Sequence, residues 1–340
     1  RSAGACWCSI AIPTGTRTIW LNGADFDVPV TVTEAVNLAF DTISDVGTTN
    51  VIRHFETEKT SQIFFREDHV FVIDGLDAYS KITFTALGGS GKGATVIVRD
   101  VTQGNRSDGL FAAQYSTKLI LDSSEIGNGR KLMINKAGGR IEFARDNWFS
   151  AATAAMATAG AFESDAAGRY SLGGTHQFCS YIEGNAAIDG AAGSVVEIAC
   201  GTDATHSGVI GGAASVVMNG AGRQTFSGVS TSSGGLTVKQ GELVLSSAAS
   251  WNNASAVKVL GGKLTLGGAK QFNAEETELF VEGDGVIDVS DKVRFAIASV
   301  DGVKIESGKF TAAKPGPFAG HIDGSGSIVI GKAGLVLIVY

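Results

Sequence analysis

Paired short strands that hinge at a glycine recur at a nearly constant interval in the C-terminal part of the chain. Residues 235–245 read GLTVKQGELVL and residues 256–266 read AVKVLGGKLTL, and looser copies follow at residues 279–289 and 303–310. The hinge glycines recur in steps of 21, 23 and 23 residues, at Gly241, Gly262, Gly285 and Gly308. A fixed interval of this length is typical of solenoids, in which each repeat contacts only its neighbours.

The residue types within each repeat explain why such copies stack. Val, Leu and Ile alternate with Thr, Lys and Glu, so that one face of each strand points inward and the other is exposed to solvent. Each strand is too short to bury its apolar face alone, whereas stacked coils form one continuous apolar column. The chain has 46 glycines and 4 prolines among 340 residues, and glycine permits the positive φ of a sharp corner. We therefore predict an all-β protein, a right-handed parallel β-helix (β-solenoid).

The N-terminal part is less regular and contains a helical pattern. Apolar side chains recur at helical spacing after an N-cap candidate, Thr33: Val36, Ala39, Phe40 and Ile43. Strand-like runs follow between residues 51 and 135. An amphipathic helix before a ladder of short strands predicts a short N-terminal capping helix, which blocks edge pairing at the open end of the solenoid. The alternative is that this helix belongs to a small α+β domain.

A change in regularity divides the chain into two parts. Residues 1–205 are predicted to form an irregular N-terminal β-helix part with the capping helix, and residues 206–340 carry the regular repeats. Residues 150–162 are rich in alanine and low in complexity. Alanine favours helix while Thr and Gly weaken it, so we interpret this segment as an excursion from the coil stack.

Charge and composition exclude several functional classes. The net charge is −7, whereas nucleic acids and anionic membrane surfaces attract clustered Lys and Arg. No run approaches the roughly 18 apolar residues that a membrane span requires. The first residue, Arg1, is not a methionine, and we expect either a removed preceding segment or a proteolytic cut before it. We expect a secreted or bacterial cell-surface protein that neither binds nucleic acid nor inserts into a membrane.

Four cysteines bear on the redox environment: Cys6, Cys8, Cys179 and Cys200. An even number in an exported chain predicts disulfides, with three possible pairings. Cys179 and Cys200 are 21 residues apart, close to one coil length. Residues on neighbouring coils lie about 4.8 Å apart, within reach of a disulfide. The alternative is two buried thiols. No second Cys or His pair stands at ligand spacing from Cys6 and Cys8, so we expect neither a metal nor a cofactor.

The repeats also resemble a known family. Residues 234–245, 251–259 and 261–266 are similar to the autotransporter-associated β-strand repeat, which occurs in passenger regions of bacterial surface and secreted proteins. Residues 308–330 are similar to the closing coils of large proteins of that type. The resemblance covers roughly residues 225–332. It implies parallel β-helix architecture and no particular activity.

The densest cluster of charged residues in the sequence is the candidate catalytic site. Arg66, Asp68 and His69 are close in sequence, and Asp74 follows. A polysaccharide lyase requires a general base and a cation that neutralises the uronate carboxylate. A glycoside hydrolase requires two carboxylates. These four residues contain both kinds of group, although charged residues at strand ends are also ordinary solvated positions. Residues 88–93 lack the Ser or Thr that a phosphate loop places after its lysine, so we interpret them as a glycine-rich turn.

Two functional hypotheses follow. The first is a non-enzymatic, extracellular or cell-surface structural protein that is adhesive or assembles as a homo-oligomer or filament. A continuously apolar C-terminal end is the candidate joint between subunits, unless it is buried in its own domain: Leu335, Val336, Leu337, Ile338, Val339 and Tyr340. The second is a carbohydrate-active or carbohydrate-binding β-helix, with an extracellular polysaccharide as partner. Exposed aromatic rings would favour it, and the candidates are Trp148, Phe149 and Tyr170.

Overall fold

The computed structural model describes residues 18–22, 25–26, 30–32, 37–41, 49–57, 59, 61–78, 81–87, 91–103, 110–123, 131–146, 160–199 and 201–331. These residues form an all-β parallel solenoid, as the sequence predicts, with one three-residue 3-10 helix. None of the described segments is a helix with the length and apolar character of a membrane span.

The chain divides into two compact units. Unit 1 comprises Arg1–Cys179 and Gly184–Ala187, and unit 2 comprises Ser180–Glu183 and Ile188–Tyr340. The predicted division near residue 205 rests on the regularity of the repeats rather than on compactness, and it stays a prediction.

Unit 1 consists of short strands arranged in three parallel sheets. The strands are β1 (Thr18–Asn22), β2 (Asp25–Phe26), β3 (Val30–Val32), β4 (Asn37–Asp41), β5 (Thr49–Ile52), β6 (Phe55–Thr57), β7 (Ser61–Arg66), β8 (Val70–Ile73), β9 (Leu76–Ala78), β10 (Ile82–Leu87), β11 (Thr95–Arg99), β12 (Val101–Gln103), β13 (Leu110–Gln114), β14 (Lys118–Asp122), β15 (Lys131–Ile134), β16 (Arg140–Phe143), β17 (Phe162–Ser164), β18 (Arg169–Ser171) and β19 (His176–Cys179). The first sheet stacks β1, β4, β7, β10, β13, β15, β17 and β19, the second stacks β2, β5, β8, β11, β14, β16 and β18, and the third stacks β3, β6, β9 and β12.

A column of phenylalanine rings occupies the core of unit 1. The ring centroids of Phe40 and Phe65 lie 5.5 Å apart, those of Phe65 and Phe84 lie 6.2 Å apart, and those of Phe84 and Phe111 lie 5.9 Å apart. All four side chains are buried. The strands that carry them are too short to bury a ring singly, so contact between rings of neighbouring coils stabilises the stack.

The predicted capping helix is wrong for the residues that can be described. Asn37–Asp41 forms strand β4, which pairs in parallel with β1 on one side and with β7 on the other. The inward residues Leu38 and Phe40 follow the period of two of a strand and are buried. Two complete backbone ladders outweigh the helical spacing of the apolar residues. Residues 33–36 and 42–43 lie outside the described part of the chain.

Unit 2 carries the regular repeats. Its strands, of which the first two lie at the boundary between the units, are β20 (Ile182–Gly184), β21 (Ala187–Gly190), β22 (Val195–Ile198), β23 (Ala204–His206), β24 (Ile210–Gly212), β25 (Ser215–Phe226), β26 (Leu236–Leu245), β27 (Ala256–Val259), β28 (Lys263–Leu266), β29 (Glu278–Val281), β30 (Val286–Val289), β31 (Lys292–Phe295), β32 (Ile297–Val300), β33 (Val303–Ile305), β34 (Gly308–Phe310), β35 (Ile322–Asp323) and β36 (Ser327–Ile330). The 3-10 helix is Gly316–Phe318.

Each regular coil of unit 2 has two strands that meet at a glycine corner. The long strand β26 turns at Gly241, whose φ is 71°, and pairs with both β27 and β28 of the next coil. The first strands continue as β27, β29 and β32, and the second strands continue as β28, β30 and β35. Parallel register superimposes the inward aliphatic residues in two buried columns, Leu236, Val257, Leu279 and Ala298 in one, and Leu243, Leu264, Ile287 and Ile322 in the other.

Antiparallel strands close the C-terminal side of the described part of unit 2. Strand β33 turns back at Asp301 and Gly302 and pairs antiparallel with β32, and β34 pairs antiparallel with β36. Both closing strands are three residues long and carry exposed lysines, Lys304 and Lys309. Short, charged edge strands are poor templates for pairing with another chain.

Candidate functional site

The four predicted catalytic residues, Arg66, Asp68, His69 and Asp74, lie on one coil of unit 1, but strand β8 separates the first three from Asp74. Arg66 ends β7 and is exposed, and Asp68 stands in the following turn with a φ of 63°. His69 directly precedes β8, whereas Asp74 directly follows it. The four residues of β8 span roughly 13 Å at about 3.3 Å per residue. The structure therefore brings Asp68 and His69 together and leaves Asp74 at the opposite corner.

Asp68 and its neighbours anchor the next coil. The Nζ atom of Lys92 lies 2.7 Å from Oδ2 of Asp68, and this hydrogen bond raises the pKa of Lys92. The backbone N–H of Gly91 donates to Oε1 of Glu67 over 3.2 Å. His69 is buried, and its Nδ1 atom lies 2.8 Å from the carbonyl oxygen of Glu67. These contacts hold a turn to the turn above it, which is a structural use of the carboxylates.

Asp74 belongs to a second set of charges that runs across the coils. Nη1 of Arg99 lies 4.0 Å from Oδ1 of Asp74, and Nε of Arg99 lies 3.3 Å from Oδ2 of Asp122. Arg145, on the following coil, places its Nε 2.8 Å from Oδ1 of Asp122. Acidic and basic side chains thus alternate from coil to coil along one corner. We call such an arrangement an inter-coil charge ladder.

A matching inter-coil charge ladder runs along the second strands of unit 2. Arg223, Glu242 and Lys263 occupy the same register position on three successive coils. Glu242 accepts hydrogen bonds of 2.7 Å from Nε of Arg223 and of 2.7 Å from Oγ1 of Thr265. Burial alone would raise the pKa of Glu242, but these hydrogen bonds and the neighbouring positive charges outweigh it and lower that pKa below 4.5. Lys263 in turn lies 2.6 Å from Asp288, whose hydrogen bond raises the pKa of Lys263.

The glycine-rich run forms a packed corner in the part that the structure describes. Gly93 has a φ of 79° and directly faces the backbone of Ser116 in the next coil. A hollow of about 230 Å³ beside it is lined in part by Lys92, Lys118 and Arg140. Lys92 is bound to Asp68, and Lys118 lies 2.7 Å from Glu142. Two of the three cations are therefore already neutralised by the protein.

The predicted aromatic candidates divide between buried and undescribed residues. Tyr170 points inward from β18, is 1% exposed, and stacks on Phe162 with ring centroids 5.1 Å apart. Its hydroxyl lies 2.9 Å from the carbonyl oxygen of Leu132, and burial raises its pKa well above the ordinary value. Its predicted role as an exposed sugar platform is therefore wrong. Trp148 and Phe149 lie outside the described residues.

The predicted disulfides and the C-terminal joint are tested only in small part. In the region that the structure describes, Cys179 is the one cysteine, it is buried, and no disulfide is found. Cys6, Cys8 and Cys200 lie outside that region, as do residues 335–340. Pairing of Cys179 with Cys200 and the assembly role of the terminal strand stay predictions.

A groove of about 630 Å³ on the surface of unit 2 was not predicted from the sequence. Its lining includes Lys270, Lys292 and Arg294, which stand on two neighbouring coils. Lys270 lies between strands β28 and β29, and Lys292 and Arg294 lie in strand β31, outside the paired-strand repeat, so no motif marks them. Aligning the chain by coil length would place residues 270 and 292 on neighbouring coils, and this is the signal that could have found them.

The described residues contain no group of three or more His, Cys, Asp or Glu side chains able to hold a metal ion. Comparison of the chain with protein-family models, with curated proteins and with solved structures finds no match.

Proposed function

We propose that the chain is a non-catalytic structural β-solenoid of the bacterial surface or extracellular space, with an adhesive role. One observation carries the proposal: the carboxylates that were candidates for catalysis form ion pairs between coils, as Asp68 does with Lys92 and Asp74 with Arg99. A retaining or inverting hydrolase requires two carboxylates that face the same glycosidic bond. Asp68 and Asp74 stand at opposite ends of β8, which supports a scaffold rather than an active site.

The cellular location rests on sequence features. The resemblance of residues 225–332 to repeats of bacterial surface and secreted proteins supports an exported protein. The inter-coil charge ladders suit such a role, because paired charges stabilise a long stack without any bound cofactor.

The proposal includes self-assembly into filaments, with the joint between subunits limited to one segment of the chain. The antiparallel strands β33 and β34 cover two of the strand ladders at the C-terminal edge of unit 2 with short charged segments, which disfavours growth by adding coils on those ladders. We therefore assign any subunit joint to Leu335–Tyr340, the apolar end of the chain. Electron microscopy and size-exclusion chromatography of the full chain and of a chain lacking residues 335–340 test this. Filaments that persist after the deletion would overturn the assignment.

The test of the structural role is a panel of neutral and acidic polysaccharides, in which retention of the protein and release of products are both measured. We expect retention on some polymers without new reducing ends and without the absorbance of unsaturated uronates. Product release that is lost in Asp68→Asn and Asp74→Asn variants would establish the carbohydrate-active alternative. Lys309→Gln, a surface change far along the chain, serves as the control in both assays.

A further inference from the structure

The groove on unit 2 is formed where three successive coils pass through the same corner. Trp251 and Phe272 form an isolated parallel bridge. The backbone N–H of Trp251 donates to the carbonyl oxygen of Gln271 over 2.6 Å. In the next coil this corner widens into strand β31, and Phe295 of that strand packs on Phe272 with ring centroids 5.1 Å apart. The buried rings hold the floor of the groove in place. Its lining includes Asn252, Lys270, Phe272, Asp291, Lys292 and Arg294.

Three cations project into this groove, and their charges are not neutralised by the part of the protein that the structure describes. Lys270, Lys292 and Arg294 take part in none of the ion pairs among the described residues, whereas Lys92, Lys118, Lys131, Arg145, Arg223 and Lys263 each have an acidic partner within 2.8 Å. One acid, Asp291, also lines the groove, and its Oδ1 accepts the backbone N–H of Lys292 over 2.6 Å. The groove therefore carries a local positive excess in a chain whose net charge is −7.

We propose that this groove binds a short acidic oligosaccharide through its carboxylate or sulfate groups. Guanidinium and ammonium groups are the natural partners of such anions. Asn252 adds an amide that makes no hydrogen bond to any described residue and that can pair with sugar hydroxyls. Ala269 and Ala274 provide small apolar surface beside the cations. The volume of about 630 Å³ lies in the range of small-molecule sites.

Charge distribution favours a short ligand over a nucleic acid. A nucleic acid requires a basic stripe that follows its backbone over many phosphates. The residues that follow the lining residue Ala274 are the acids Glu275 and Glu276, so the positive charge of the groove does not continue along this coil. The site goes beyond the structural role proposed above, because a scaffold without this site would keep every inter-coil contact. No bond-breaking step is proposed for it.

Isothermal titration with a hyaluronan tetrasaccharide, which carries glucuronate carboxylates, tests the site directly. The neutral control is chitotetraose, and inorganic phosphate probes simple anion binding. We expect the acidic tetrasaccharide to bind, the neutral one to bind at least tenfold more weakly, and affinity to fall between about 0.05 M and about 0.5 M NaCl. Lys292→Gln and Arg294→Gln should each weaken binding about fivefold or more, and Arg294→Lys should restore part of the loss.

Lys309→Gln is the matched control, since it removes one exposed positive charge of the same unit outside the groove. Its affinity should equal that of the unaltered chain. Equal binding of both tetrasaccharides, equal loss in Lys309→Gln, or no binding of the acidic tetrasaccharide would each overturn the proposal. Phosphate that binds as tightly as the tetrasaccharide would overturn the sugar assignment. All variants should unfold within about 2 °C of the unaltered chain, and retention without turnover in the polysaccharide panel tests the structural role separately.

Discussion

Arg223 and Glu242 occupy equivalent positions on successive coils, and Nε of Arg223 donates to Oε2 of Glu242 over 2.7 Å. In a parallel stack each side chain has the equivalent side chain of the next coil as its neighbour, about 4.8 Å away along the stack. Equal charges at one position would repel each other through the whole column, whereas alternating charges attract. The order Arg223, Glu242, Lys263 follows this requirement.

Loss of the central charge of that ladder should destabilise unit 2. Glu242→Gln removes the partner of Arg223 and weakens the hydrogen bond from Thr265, so we expect a loss of about 1 kcal/mol in the free energy of unfolding. Because the folded-state pKa of Glu242 lies below 4.5, its contribution is present above pH 4.5 and is lost as the pH falls through the folded-state pKa. Urea denaturation of the unaltered chain and of Glu242→Gln at several pH values measures this difference in the free energy of unfolding. Glu282→Gln, at an exposed acid of the same unit, should change the free energy by less than about 0.5 kcal/mol.

The phenylalanine column should dominate the stability of unit 1. Phe65→Ala removes a ring that contacts Phe40, Phe71 and Phe84, and such cavities cost about 3–5 kcal/mol. Phe64→Ala, the adjacent residue that points outward and is only half-buried, should cost about 1 kcal/mol. Equal losses from the two variants, measured by chemical denaturation, would contradict the inward placement of Phe65. If Phe65→Ala fails to fold, Phe65→Leu provides the same comparison at a smaller loss.

The glycine corner at Gly241 should not tolerate a side chain. A Cβ atom there would overlap the carbonyl oxygen of Gly220 in the preceding coil, in addition to the strain of a φ of 71°. We expect Gly241→Ala to cost about 3 kcal/mol or more. Gly302→Ala separates the two effects, because Gly302 has a φ of 78° with open space around it and should lose only about 1 kcal/mol. Thermal unfolding of both variants gives the difference.

Acid should destabilise unit 2 through His206. Its side chain is buried, both ring nitrogens lack a hydrogen-bond partner among the described residues, and burial lowers its pKa from 6.5 to about 4. Above pH 6.5 the ring is neutral in both the folded and the unfolded chain. As the pH falls from 6.5 toward 4, the unfolded chain binds a proton that the folded chain does not, and up to about 3 kcal/mol of stability is lost. His206→Leu should flatten this part of the stability–pH curve and be at least as stable at pH 7, since two unpaired buried nitrogens are removed.

The control for His206 is His54, which is partly exposed and lies 3.2 Å from Asp77. His54→Gln should leave the slope that His206 contributes in place. A curve that stays unchanged in His206→Leu would show that other groups cause the acid sensitivity of this unit.

The repeated strands of unit 2 could be predicted because one residue pattern recurs at the coil length. Leu243 and Leu264 were expected to point inward, and both are buried in register. Residues 37–41 could not be assigned correctly from the sequence, because Phe40 fits both a helical period and a strand period. Only the ladders to β1 and β7 decide between them, and those partners are distant in sequence.

The candidate site was harder to predict than the fold. Asp68 and Asp74 are six residues apart in the chain, but a strand and two corners separate them in space. The inward direction of Tyr170 depends on the register of β18 against β16, which its own neighbours in sequence do not reveal. Lys270 and Arg294 meet in one groove because two coils place them there, and no local spacing expresses that.

The parallel register also sets how the length of such a chain can change. Residues one coil apart, such as Glu242 and Lys263, are 21 positions apart and share one environment. Duplicating or deleting a whole coil therefore keeps the backbone ladders and the inward aliphatic columns, and the closing strands β33 and β34 keep their partners. Loss of the coil that carries Glu242 would, however, set Arg223 beside Lys263. A single-residue insertion in β27 would instead exchange the inward and outward faces of the rest of that strand. Unit 2 can thus gain or lose length by coils, and each gain would add one further step to its stack.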